Sequence, residues 1–157
     1  MMGDLARIAA DGAARGADDD AYPFRLLCRR QMHVFNSSCN VPATNRGRPY
    51  NPAFVHSADL DELGLAPGDL VEIRSALAAI VAVAEADDTL RRGSVSMMFG
   101  FGGPPDVDGD VRRIGSSPSR LVSDDDVYDR YMGQPRMSNV PVRLRALGAD
   151  DLPTTPT

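Results

Sequence analysis

The chain has 157 residues, enough for one domain with a core of its own. Hydrophobic side chains make up 43% and the formal net charge is -5. That acidity argues against general nucleic-acid binding, which needs a broad basic surface. No apolar run approaches twenty residues, so the sequence predicts no membrane span.

Residues 1–21 read as a disordered tail or linker, rich in alanine, glycine and aspartate. The early Asp4, with no apolar stretch after it, is unlike a signal peptide, and the expected location is cytoplasmic. The folded domain is expected over residues 22–148, with a frayed C-terminus over 149–157. Phe24 to Cys28 predicts a first strand, and a polar, loop-forming stretch follows from Gln31 to Pro49. A loop of that length in a small domain is functional or mobile. Asn51 to His56 predicts a short strand. Ser57 suits a helix N-cap, Ala58 to Leu63 a helix, and Gly64 its left-handed end. Leu65 to Asp69 predicts a turn, and Leu70 to Ile73 alternates as a half-buried strand.

Ala78 to Glu85 sets helix propensity against strand pattern. The β-branched Ile80, Val81 and Val83 favour strand. Ser94 to Met98 is a further strand. Phe99 to Gly115 reads as a glycine- and proline-rich excursion with a flexible tip. A short turn and one helical turn at Asp124 to Tyr128 follow, then a last strand from Val140 to Leu147. Several short strands, little helix and long connections predict a mainly β, compact barrel. No internal repeat stands out.

Basic side chains gather at Arg25, Arg29, Arg30, Arg46 and Arg48. Arg29 and Arg30 offer planar donor forks suited to phosphate, with His33, Asn36 and Ser37 close behind. The plainer reading of the same residues is an exposed basic turn. Phe99 to Pro104 is a glycine-rich loop after a strand, where Gly100, Gly102 and Gly103 would let backbone approach a ligand or simply form a hairpin. It is neither a Walker loop nor a Rossmann fingerprint. Asp69 reads as a turn carboxylate bonded to backbone. Cys28 and Cys39 lack metal-motif spacing and read as reduced thiols, with a disulfide as the alternative. The two histidines form no hydrolase pattern.

Taken in order, four segments resemble the C-terminal cofactor-binding domain of dimethyl-sulfoxide-reductase-type molybdopterin oxidoreductases, a group with formate dehydrogenase and nitrate reductase members. They are Arg29 to Ser37, Leu60 to Ile73, Arg92 to Gly103, and Ser119 to Val122 with Val140 to Leu144. The resemblance implies a six-stranded double-psi β-barrel with one or two short helices. It implies binding of the guanine-dinucleotide form of molybdopterin, with molybdenum or tungsten held elsewhere. It carries the cofactor role onto Arg29, Arg30, His33, Asn36, Ser37, Gly100, Gly102, Gly103, Ser119 and Arg120. Ser119 stands where the family often has asparagine, and the turn near Ala76 to Ala78 lacks an expected glycine.

The metal-ligand region and cysteine cluster of that group do not fit this length. The domain is therefore expected to assist catalysis by other domains or a subunit rather than perform it. The alternative is a double-psi adaptor that binds a partner and no cofactor. A third reading is a barrel enzyme self-cleaved at Gly93-Ser94. It lacks the lysine such chemistry suggests, since all 17 lysine-plus-arginine positions are arginine.

Overall fold

A computed structural model describes residues 20–38, 41–123, 128, 132–148 and 151. Six strands close into a barrel: β1 (Phe24–Arg29), β2 (Ala53–Val55), β3 (Leu70–Arg74), β4 (Ala79–Ala86), β5 (Ser94–Met98) and β6 (Ser138–Ala146). Around the barrel the order is β1-β5-β2-β4-β3-β6. Two neighbouring pairs, β1 with β5 and β2 with β4, are parallel, and the others are antiparallel. Exchanging each strand with the one three places along leaves this set of pairings unchanged. The two halves of the chain thus interlock as a double-psi barrel, as the resemblance implies.

Strand patterning explains the core. In β3, Val71 and Ile73 point inward while Leu70, Glu72 and Arg74 are partly exposed. The interior is filled by Leu26, Val55, Ile80, Val95, Met97, Val142 and Leu144, among others. β4 is buried on both faces. Ile80, Ala82 and Ala84 join the barrel interior, whereas Val81 and Val83 pack outward against Val111. That second burial removes the polar alternation that would have marked the strand plainly.

Helix α1 (Ser57–Glu62) begins one residue earlier than its sequence suggests. Its N-cap is His56, whose Nδ1 accepts from the Ala58 amide at 3.1 Å. Ser57 is not the cap; its amide instead donates to Asp88. Gly64 does adopt a left-handed φ of 67°. Buried Asp59 ties α1 to the start of β5, accepting from Arg92 at 2.7 Å and from the Gly93 amide at 2.8 Å.

The segment after β5 is more regular than expected. A 3-10 segment (Pro105–Asp110) runs into α2 (Val111–Ile114), and a further 3-10 turn covers Pro118–Leu121. Val111 against β4 and the Asp108–Arg120 ion pair at 2.7 Å give it a packed base. Of the expected helical turn at Asp124 to Tyr128, residues 124–127 lie outside the described residues, and Tyr128 pairs with Pro135 in an isolated bridge. Among the described residues no helix is long and apolar enough to cross a membrane.

On the outer face, Arg74 donates to Glu72 at 3.2 Å and Arg145 approaches it at 3.7 Å. These hydrogen bonds, chiefly that of Arg74, hold the Glu72 carboxyl below its usual range. A depressed folded value adds stability above the unfolded value of about 4.3, and that stability disappears as pH falls through the folded value. Glu72→Gln should therefore cost about 0.5 kcal/mol at neutral pH, given solvent screening. Urea melts should show the difference between variant and parent closing in acid.

Candidate functional site

The parallel pairing of β1 with β5 aligns Arg29 with Met98, so both strands deliver their following loops to one end of the barrel. The first loop is anchored by Val34, buried with Met98 and Phe101 in a small cluster of its own. Gly100 lies directly beneath it: a Cβ there would stand 2.7 Å from the Asn36 carbonyl carbon. The Arg30 guanidinium spans the two loops, donating to Asn36 Oδ1 at 3.0 Å and lying 5.2 Å from the Phe99 ring centre.

Residues 41–50 form a second turn. Buried Asn45 organises it, its Nδ2 donating to the carbonyls of Arg48 at 3.0 Å and Tyr50 at 2.7 Å. Gly47 closes the turn by donating its amide to Pro42. The two loops border a pocket of about 540 Å³, which takes in Arg29, Arg30 and His33 from the end of β1 and the first loop and Arg46 and Arg48 from the second turn. Phe54 and Asp87 also line it.

The charges in this pocket are arranged rather than scattered. Arg29 stacks 4.4 Å above the Phe54 ring and donates to Asp87 Oδ2 at 3.1 Å. Arg48 pairs with Glu85 at 3.2 Å. Hydrogen bonds from Thr89, with help from Arg29, hold the Asp87 carboxyl below its usual range. Four guanidiniums face two carboxylates, an excess of two positive charges in an acidic protein. Among the described residues, four that are not glycine have positive φ, and His33 (74°), Asn36 (55°) and Arg46 (52°) all belong to these two loops. Such backbone costs energy and gathers where function holds it in place.

The other expected positions fall elsewhere. Asn36 and Ser37 are exposed on the first loop, and Asn36 orients Arg30. Gly102 packs against the backbone of Ser116 and Ser117, where a Cβ would come within 2.6 Å. A Cβ on Gly103 would approach Val107 at 2.9 Å. Close packing between loops is thus a sufficient reason for glycine at 100 and 102. Ser119 is exposed. Arg120 is held by Asp108 and by the Ala79 carbonyl at 3.1 Å. Ala79 starts β4, whereas the pocket adjoins its end, roughly 23 Å away along the strand.

Residues 24–141 match the family model described as the Molydopterin dinucleotide binding domain. The chain belongs to that family. Among solved structures, acetylene hydratase from Pelobacter acetylenicus is similar in fold, with a TM-score of 0.67 and 19% identity. The match covers 82% of this chain and 19% of the hydratase, so this chain spans about a fifth of that protein. No curated protein sequence matches.

The pocket fits part of a molybdopterin dinucleotide. Arg29, Arg30, Arg46 and Arg48 line it with forked donors that could hold a pyrophosphate, and His33 would add a polar edge. Such a cofactor supplies redox or Lewis-acid chemistry at its metal, and this chain's residues would bind and orient its tail. Among the described residues no three His, Cys, Asp or Glu side chains gather as metal ligands. Cys28 is half-buried and unbonded, its thiol pushed up by burial, and Cys39 lies outside the described residues.

Sequence reading missed Phe54, Asp87 and the role of the 41–50 turn. The Ala53-Phe54-Val55 alternation offered a signal for the first, since it turns Phe54 outward. Asp87 carried none, because its partner is 58 residues away.

Proposed function

We propose that this domain grips the guanine-dinucleotide form of molybdopterin as the C-terminal module of a molybdenum or tungsten oxidoreductase, and is not catalytic by itself. The observation that carries this reading is the cationic pocket at the shared end of β1 and β5, in a chain of this family. In this reading residues 22–148 form the module, and preceding residues link it to the metal-holding part of the parent. Oxidoreductase chemistry belongs to the proposal, since the neighbour in fold is named for a hydration.

Exposed Met32 and Phe35 stand 81% and 67% accessible on the first loop. Apolar side chains at the rim of a polar pocket suit contact with further protein. They also suit the adaptor alternative, which differs in predicting no nucleotide affinity.

Guanosine diphosphate, the tail of the cofactor, separates the two by calorimetric titration of the full chain. Arg29→Ala should weaken binding by about 1.5–3 kcal/mol, the range for a hydrogen bond to a charged group. His33→Ala should weaken it less, and circular dichroism should show both variants folded. Unchanged affinity in both variants removes this site, and a parent chain indifferent to the nucleotide favours the adaptor.

A further inference from the structure

The two walls of the pocket are not equivalent. On the β1 side, Arg29 is engaged by Asp87 and Arg30 by Asn36. On the second turn, Arg48 is engaged by Glu85. Arg46 also lines the pocket, yet it makes no hydrogen bond or ion pair with any described residue. Its φ of 52° is one an L side chain rarely adopts. The turn that imposes it is held from both sides, by Gly47 bonded back to Pro42 and by the Asn45 side chain bonded ahead to Arg48 and Tyr50. The fold thus holds Arg46 in a rarely adopted backbone at the lining of the pocket, exposed and with no partner among the described residues, whereas each of the other three guanidiniums has one.

We propose that Arg46 makes this pocket selective for a diphosphate over a monophosphate. The Arg29–Arg30 wall takes one phosphate, and Arg46 takes the oxygens of the second. This rests on the reading that the pocket holds the cofactor's pyrophosphate, and it assigns the recognition of that group's second half. A monophosphate satisfies one wall and leaves Arg46 in water. A diphosphate bridges both walls and brings Arg46 its partner, a charge-assisted contact with the forked geometry of a guanidinium.

The test is titration of the full chain with inorganic pyrophosphate and, separately, inorganic phosphate. The parent should bind pyrophosphate at least about tenfold more tightly, the difference one charge-assisted hydrogen bond makes. Arg46→Gln should remove most of that preference and leave phosphate affinity within about twofold. Arg46→Gly does the same while relieving the backbone, so a loss shared by both variants is not a folding defect. Arg29→Ala should weaken both anions together. If the preference survives in both Arg46 variants while Arg29→Ala weakens both anions, the role of Arg46 is wrong and the pocket stands. If the parent binds neither anion, or Arg29→Ala changes nothing, the pocket assignment falls along with it.

Discussion

Replacing Asn51 with alanine should cost about 3–5 kcal/mol in a urea melt, the largest loss from any polar substitution in the domain. Asn51 is fully buried between β5 and the segment after α2. Its Nδ2 donates to the carbonyls of Met98 at 2.5 Å and Ser116 at 2.9 Å, and its Oδ1 accepts from the Ser116 amide at 2.8 Å. Truncation strands an amide and removes the donor from two carbonyls, each in the interior, at about 1–3 kcal/mol apiece before relaxation. Asn51→Asp sharpens the test. It keeps an acceptor for the Ser116 amide and sets negative charge against both carbonyls, so it should fold no better than the alanine variant. A loss below about 1 kcal/mol in both would show that water reaches this site.

Gly100→Ala should cost about 3 kcal/mol or more and should also impair nucleotide binding. Gly100 has a φ of 88°, and its missing Cβ leaves room for the Asn36 carbonyl. An alanine must either strain there or push the first loop away from β5. That loop carries Arg30 and His33, and Val34 beneath it is buried against Met98 and Phe101. The prediction therefore couples two readouts, stability and affinity for guanosine diphosphate. Alanine at Gly68, where a Cβ would meet nothing, makes a control: it shares the positive φ without the collision. It should cost only the backbone strain, about 1 kcal/mol, and leave binding unchanged. Equal losses at the two positions would mean the close approach to Asn36 is unimportant.

These two residues also mark how far the sequence was legible. Asn51 opens a strand-like run with nothing to set it apart, because its partners lie 47 and 65 positions away. No local pattern encodes them. The glycine run was visible as punctuation, but its neighbours were not, so ligand approach and loop packing could not be separated until Asn36 and Ser116 were seen beside it. Strands with one solvated face, such as β3, were readable from alternation. β4 was read from its β-branched residues and from the strands flanking it, because α2 covers its outer face and hides the alternation. The His56 cap was missed because a serine one position later offers the commoner chemistry. The exchange of strands three places apart that maps the set of pairings onto itself left no repeat in the sequence, since it constrains hydrogen bonding of the backbone rather than side-chain identity.

Barrel closure has a consequence for biosynthesis. β1 has only β5 and β6 as neighbours, so the first strand made must wait for the last two. A ribosome that has completed β4 has released two strands able to pair with it, and none able to pair with β1. The arginine doublet therefore emerges well ahead of its scaffold, which begins to form only when β5 has followed and closes only with β6. Such wide sequence separation slows folding and prolongs exposure of unpaired edges. Stalled synthesis ahead of Ser138 should release chains that chaperones retain.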